Sequence, residues 1–374
     1  MVRCNASGGP TKLLIAEISG YLLMKRTMRT STLILAAVAV MVGSPAFAGN
    51  PDRAGSAGAT QLLINPWARS SGWGLANSAS VKGVDAMFGN IAGLSMVNKT
   101  EVLFTSTRWL EGSGTTINSV GIGQKLGASG VLGISATTMG FGDLEVTTYD
   151  TPEGGRGTFR PTLANIGLAY SKSFSNSIHG GLLVRVVSES IANVRTQGVC
   201  FDAGIHYVTG PQDNLHFGIA LKNVGPAMEF SGDGLSVQGL ISSGSDQLTL
   251  AQRSEQFEIP SLLNIGAAYD WHLNETNRIT FAATFVSNSF TRDQGVLGIE
   301  WAFRRMFHLR GGFLYEEGIT NDADRTTVFT GPSAGLSVDL PFGDEKKSAF
   351  AIDYSYRATN PFNGVHAVGL RISL

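Results

Sequence analysis

The chain closes on AFAIDYSYRATNPFNGVHAVGLRISL, residues 349–374. In its first half Phe350, Ile352, Tyr354 and Tyr356 fall on one face, and Ala351, Asp353, Ser355 and Arg357 on the other. Past the turn residues TNPFNG, Val368, Leu370, Ile372 and Leu374 oppose Ala367, Gly369, Arg371 and Ser373. A period of two is the signature of a β-strand, so the stretch reads as a hairpin. One face is bulky and aromatic; the other is small and polar and carries charge. A soluble sheet would bury the bulky face in a core. An outer-membrane barrel would turn it to lipid and the small face to the lumen. Recurrence of the pattern, and evidence of export, decide between the two.

The pattern recurs. In LLNIGAAYDW, Leu263, Ile265, Ala267, Tyr269 and Trp271 oppose Asn264, Gly266, Ala268 and Asp270. In VLGIEWAF, Leu297, Ile299, Trp301 and Phe303 oppose Gly298, Glu300 and Ala302. In FHLRGGFLYE, Phe307, Leu309, Phe313 and Tyr315 oppose His308, Arg310, Gly312 and Glu316. Aromatic residues gather at strand ends, as interfacial girdles do. The segments approach the 9–11 residues of a tilted membrane strand. From Glu101 onward about fourteen such strands can be drawn, an even number as single-chain bacterial barrels have. Residues 130–149 are drawn as one long strand, the alternative being two. With both ends periplasmic, the short connections alternate with long ones, and the longest, 225–259, falls on the outer side. The fold class is therefore all-β: an antiparallel transmembrane barrel of about fourteen strands with an N-terminal plug.

Export is also legible. From Met24, Lys25, Arg26 and Arg29 form a basic region, Leu33 to Val42 an apolar one, and Ala46-Phe47-Ala48 a small-x-small cleavage motif. Residues 1–23 read as an upstream mis-start. Beyond Ala48 no apolar run approaches the roughly 20 residues of a spanning helix. The expected organisation is an upstream segment and signal peptide (1–48), a plug (49–99) and a barrel (100–374). Residues 49–98 mix Gly, Ser and Asn with Trp67, Trp73, Met87 and Phe88, too much apolar surface for a disordered tail. Short helices are expected at 61–64 and 84–92.

Of 374 residues, 47 are Gly and 2 are Cys, and the net charge is −1. Nothing in this balance suggests a nucleic-acid partner, which usually leaves a basic excess. Cys4 lies in the segment expected to be removed. Cys200 alone makes neither an intramolecular disulfide nor a zinc site. His179, His206, His216, His272, His308 and His366 show no metal-ligand or protease spacing. No catalytic residue, metal site or cofactor is expected, and the chain does not read as an enzyme. An outer-membrane deacylase would need a Ser/His pair at the lipid-facing rim, and none is found. Asp353, Arg371, Glu300 and Arg310 fall on predicted lumen faces, where they either line a ligand path or pair in a network holding plug to wall. Gly154, Gly155 and Gly157 read as a loop tip.

The 225–259 loop is the candidate binding element. It opens on Gly225-Pro226 and carries Met228, Phe230, Leu235, Val237, Leu240 and Ile241 among Gly and Ser. Loops of this length are usually functional or disordered. Pro226, Met228, Phe230, Leu235, Val237, Leu240 and Ile241 form the candidate partner-binding set. The alternative is a loop folded back over the barrel mouth.

Six segments in order, AGATQLLINPWARSSGWGLA, FGNIAGLS, LKNVGPAMEF, FEIPSLLNIGAAYDW, GIEWAFRRMFHLRGGFLYEEG and DYSYRATNPFNGVHAVGLRISL, resemble the PorV/PorQ family of outer-membrane barrels. The resemblance covers nearly all of 55–374. Where relatives and FadL-type barrels often read Asn-Pro-Ala-Gly-Leu, this chain has Ile91 in place of the Pro, which bears on the local turn. The resemblance implies a FadL-like fourteen-stranded barrel with a plug. It implies a type IX secretion role: binding the C-terminal domains of secreted cargo at the large translocon barrel and passing cargo to a surface attachment complex. Outer-membrane lipid would be the remaining partner. The alternative function is a FadL-like transporter of hydrophobic small molecules, which would need an apolar pocket between plug and wall and a lateral gap. Gly180-Gly181 and Gly311-Gly312 are candidates for that kink.

Overall fold

The structure is a computed structural model. It describes residues 49, 51–240, 247–342 and 348–374. The signal-peptide motif and Ile241 lie outside these residues.

Eighteen strands are present among the described residues: Thr100–Trp109 (β1), Thr115–Leu126 (β2), Gly130–Gly140 (β3), Leu144–Glu145 (β4), Thr158–Phe159 (β5), Thr162–Ser173 (β6), Ile178–Ile191 (β7), Val194–Thr209 (β8), Leu215–Val224 (β9), Ser236–Leu240 (β10), Gln247–Ala251 (β11), Leu262–Asn274 (β12), Asn277–Asn288 (β13), Gln294–Phe303 (β14), Phe307–Glu316 (β15), Phe329–Phe342 (β16), Ser348–Thr359 (β17) and Val365–Ser373 (β18). Fourteen of them close a barrel in the order β1-β18-β17-β16-β15-β14-β13-β12-β9-β8-β7-β6-β3-β2, and every pair is antiparallel. β1 pairs with β18 from Glu101↔Ser373 to Arg108↔His366, which removes both sheet edges. The other four strands form two small hairpins within long loops, β4–β5 and β10–β11.

The two faces sort as the alternation requires. Ile352, Tyr354, Val368, Leu370 and Ile372 point out and are exposed, while Ala351, Asp353, Ser355, Ala367 and Gly369 point in and are buried. Ile134, Leu168, Leu182, Ile205, Ile219, Leu297 and Leu309 continue the outward apolar belt around the wall. Tyr170, Tyr207, Tyr269, Trp271 and Trp301 stand outward near the ends of their strands, all at the same end of the barrel. An outside this apolar around a closed wall is what lipid solvates. The chain is an outer-membrane β-barrel.

One barrel end carries the connections 127–129, 174–177, 210–214, 275–276 and 304–306; the other carries 141–161, 225–261 and 317–328. Short turns face the periplasm in such barrels, so the long-loop end is the outer one. Four outer connections are short: β7 and β8 join through Ala192 and Asn193 alone, and 110–114, 289–293 and 360–364 have five residues each. The long 130–149 strand is corrected. The wall strand stops at Gly140, and the chain then forms a surface loop stapled by the β4–β5 ladder and by an Arg160–Asp143 ion pair.

Inside the wall, residues 51–97 form 3-10 helices at Pro51–Arg53, Thr60–Leu63, Gly83–Met87 and Ile91–Met96 and a one-turn α-helix at Ala68–Gly72. Trp67, Val84, Met87, Ile91 and Leu94 pack with Leu103, Val131, Ala169 and Leu183 of the wall. Trp73, Ala76 and Ala79 pack with Ala268, Ala282, Val296 and Leu314 on another side. Ile91 fits where a Pro was noted as common, because the first helical position needs no amide donor. Asn90 caps the turn instead, its Oδ1 accepting from Ala92 N at 3.2 Å.

The glycine pairs expected to kink the wall do not. Gly180-Gly181 and Gly311-Gly312 are paired on both sides in regular ladders. Their lack of a side chain admits the plug: a Cβ on Gly312 would stand 2.1 Å from Trp73 O, and one on Gly181 2.9 Å from Ile91 O. The wall ladder is interrupted elsewhere. β15 and β16 pair only up to Phe313↔Pro332, and β16 slips against β17 between Phe329 and Ser333. Pro332 has no amide hydrogen to continue either ladder.

Candidate functional site

The plug divides the lumen into two unequal spaces. Above it, at the outer mouth, lies a vestibule of about 860 Å³. Its floor is plug, including Leu63, Ile64, Leu75 and Phe88. Its walls include Trp109, Met139, Phe141, Leu163, Val296, Leu314 and Phe329 from the outer ends of six strands and the loop after β3. Apolar side chains dominate it, yet Lys222, Arg292, Arg357 and the carboxylate of Glu316 also line it. Lys222 of β9 is buried, with its Nζ 3.6 Å from the centre of the Phe88 ring. Arg357 of β17 is buried, with its guanidinium 3.7 Å from the Phe329 ring. Among the described residues neither has a carboxylate within ion-pair distance. The nearest acid on the Lys222 side, Asp202, is already engaged by Arg185 at 3.1 Å and by Asn223 N at 2.7 Å.

Below the plug is a chamber of about 80 Å³ lined by Arg69, Lys82, Asp85, His216, Asp270, Arg278 and Glu300. Here the wall charges pair with one another. Glu300 accepts from Arg310 Nε at 2.6 Å and from Arg278 Nη2 at 2.9 Å. Arg310 Nη1 reaches Ser337 Oγ at 2.5 Å, and Ser337 donates to Asp353. Arg371 Nη2 binds both oxygens of Asp339, at 3.0 and 3.1 Å, and its Nε lies 3.8 Å from Asp353. The four lumen charges read from sequence, Asp353, Arg371, Glu300 and Arg310, thus belong to one network, which joins wall to wall. Register makes it: Glu300 and Arg310 are directly opposed on β14 and β15. The plug adds Arg69. Burial opposes its charge, but Glu300, Asp339 and Asp353 outweigh this and hold the guanidinium above its ordinary range. Asp85, also in the plug, is pushed up to about 6 by burial, against the hydrogen bond from Ser70 and the field of Arg69.

Plug and wall are tied elsewhere. Val84 N donates to Glu101 Oε1 at 2.7 Å, Gln61 Nε2 to Glu189 Oε1 at 2.9 Å, and Arg185 Nη2 to Met87 O at 3.2 Å. His179, His206 and His216 form a ladder across β7, β8 and β9, with ring centres 6.0 and 5.6 Å apart. The sequence reading singled out neither His216, noted only for lacking metal-ligand spacing, nor Lys222. Among the described residues no cluster of three or more His, Cys, Asp or Glu side chains is arranged to hold a metal.

The loop residues proposed for partner binding are not one surface. Met228 is 2% exposed and packs with Leu62, Val187, Cys200 and Ile259, so it roots the loop and is corrected as a docking residue. Phe230 is half-buried and its ring stacks 5.4 Å from Phe257. Leu235 is half-buried, and Pro226 and Val237 are exposed. Leu240 ends β10, paired with Gln247. The loop folds back at its root, through the Met228↔Phe257 bridge, and projects only its β10–β11 hairpin.

A closed, plugged fourteen-stranded outer-membrane barrel with an apolar outer vestibule defines the class. No family model matches the chain, and no curated protein matches it. Among solved structures it is similar to a Pseudomonas aeruginosa FadL homologue at 12% identity, covering 83% of this chain and 97% of that one, with a TM-score of 0.49. It is similar to the CymD monoaromatic hydrocarbon channel at 12% identity, 83% and 97% coverage and a TM-score of 0.48. It is also similar to the Ralstonia pickettii toluene transporter TbuX at 13% identity, 78% and 92% coverage and a TM-score of 0.47. These are likenesses to FadL-type barrels; the narrower PorV/PorQ resemblance stays with the sequence segments that carry it.

Proposed function

We propose that this protein admits hydrophobic small molecules through the outer membrane, taking them first into the vestibule above the plug. The vestibule carries the reading. At about 860 Å³ it lies within the 300–1,000 Å³ range of ligand sites, and its lining is mostly apolar with a few convergent polar groups. Lys222 and Arg357 give extra hold on ligands that bear an acidic group, since each is a desolvated cation stacked on a ring and, among the described residues, without an acid in ion-pair contact. The interrupted ladder at Pro332 adjoins Phe329 and Leu314 of this space and is the natural side exit toward lipid. The test is uptake of a radiolabelled alkyl or aryl compound into proteoliposomes, with Leu314→Trp to fill the vestibule. Uptake above protein-free liposomes, lost in the variant, is the expected result. Uptake no faster than in liposomes without protein would sink the reading.

A second reading retains the secretion role implied by the resemblance. The β10–β11 hairpin supports it, because Val237, Leu248 and Leu250 stand exposed on it. Under this reading the large translocon barrel and the C-terminal domains of cargo dock on the hairpin. Gentle detergent purification followed by mass spectrometry separates the two: a very large barrel or cargo domains co-purify under this reading, and a lone barrel carrying lipid under the first.

A further inference from the structure

The Ala46-Phe47-Ala48 motif leaves Gly49 as the first residue of the exported chain. The structure places that residue in a fitted seat at the outer mouth. Its backbone nitrogen donates to Oδ2 of Asp293 at 2.7 Å. Asp293 is held from behind: its Oδ1 accepts from Asn288 N at 3.1 Å, and Asn288 Nδ2 ties to Arg292 O at 2.9 Å. A methyl group on Gly49 would stand 2.8 Å from both Asp293 N and Thr291 O, so the seat has room for glycine and for no side chain. The residue the motif would leave first is thus one whose seat admits only glycine.

The chain that follows is clipped to the outer loops again. The Arg53 guanidinium lies 4.2 Å over the Phe290 ring and its Nη2 is 2.5 Å from Glu258 Oε1. Ala57 bridges to Glu258, and Gly58 N donates to Glu258 O at 3.0 Å. Ala54, Gly55 and Thr60 of this strap wall the vestibule.

We propose that the 289–293 loop is a binding site for the α-ammonium group that processing creates, with Asp293 as its carboxylate. Hydrolysis of the Ala48–Gly49 bond places the hydroxyl of water on the Ala48 carbonyl carbon and a hydrogen on the Gly49 nitrogen. The new amine takes up a further proton at neutral pH. Before cleavage the nitrogen is an amide with one hydrogen; afterwards it is a cation with three. The carboxylate is charged in both cases, but only after cleavage is its donor charged too, which adds a direct charge–charge attraction to the hydrogen bond. Cleavage therefore tightens the contact that fastens the strap beside the vestibule, and the processed chain closes there more firmly than its precursor. This holds whichever molecule the vestibule receives.

The test uses the protein purified from outer membranes. Intact mass should show a chain beginning at Gly49. Acylation of the α-amine at neutral pH, read by mass spectrometry, should be about tenfold slower with Asp293 than with Asp293→Asn, the factor given by one unit of pKa in the amine. A second chain, engineered to begin with two alanines before Gly49, separates pairing from folding. Asp293→Asn should lower the unfolding midpoint of the Gly49 chain clearly more than that of the extended chain, which keeps only an amide donor there. Equal midpoint losses in both chains, equal labelling rates, or a chain beginning at another residue would overturn the proposal.

Discussion

The two sides of the plug solve opposite problems with the same kind of wall. Below it, Glu300, Arg310, Arg278, Asp353, Asp339 and Arg371 leave little space and few unmatched charges. Above it, about 860 Å³ stays open among apolar side chains, and Lys222 and Arg357 meet aromatic rings instead of acids. Neutralised charge in a tight space serves structure, because a buried ion is tolerated when paired. Unmatched charge beside an open apolar space does not serve stability in that way. On the proposed function, the difference gives stability to the inner half of the lumen and ligand contact to the outer half.

The largest effect should come from the inner half. Glu300→Leu leaves Arg310, 2% exposed, with Ser337 as its remaining side-chain acceptor. Breaking one partner of a buried pair destabilises by about 3–5 kcal/mol. Urea unfolding in lipid vesicles should show a loss of that size with ligand binding unchanged, and the double variant Glu300→Met/Arg310→Met should recover most of it. A loss near zero for the single variant would mean the chamber is wet enough to screen its charges, and the contrast between the halves would fail.

That network shows how far the sequence alone reaches. Alternation placed Glu300, Arg310, Asp353 and Arg371 on the lumen face, because period two and strand length are local properties. It could not say which charges meet, since pairing depends on register between strands far apart in sequence, such as Asp339 with Arg371. The same limit hid the site. Lys222 drew no reading from sequence, because its lack of an acid partner depends on Arg185 having engaged Asp202. The loop reading failed at Met228 for a related reason. An apolar residue in a Gly/Ser-rich loop looks available until Leu62, Val187 and Cys200 are seen around it. The glycine pairs were misread because a wall glycine facing a plug and a wall glycine at a kink look alike in sequence.

A pH effect of intermediate size should come from the plug itself. Asp85 is 3% exposed, and burial lifts its carboxyl from the ordinary 3.8 to about 6. Between those values the folded protein holds a proton that the unfolded chain has released. Stability from this group is therefore fully present below pH 4 and is lost as pH rises through about 6, by roughly 3 kcal/mol at most. Unfolding of the purified barrel across that range should slope downward, and Asp85→Asn should flatten this contribution. A slope unchanged in the variant would move the titration to another group and leave the plug's acid charged.

The smallest effect, and the most direct on function, is expected at Lys222. Replacing it with Met keeps the length and the contact with Phe88 and removes a desolvated charge that, among the described residues, no acid pairs with directly. Stability should hold or rise, the reverse of the Glu300 result, because a buried ion without a partner is a burden on the fold. A neutral apolar ligand and its carboxylate counterpart should then part company. Affinity for the carboxylate should fall about tenfold, equivalent to about 1.4 kcal/mol, while the neutral ligand is unaffected. Titration calorimetry of the pair against wild type and Lys222→Met reads both quantities. A variant that loses stability without changing the ratio would make Lys222 a structural cation like Arg310, and the outer half would then resemble the inner one.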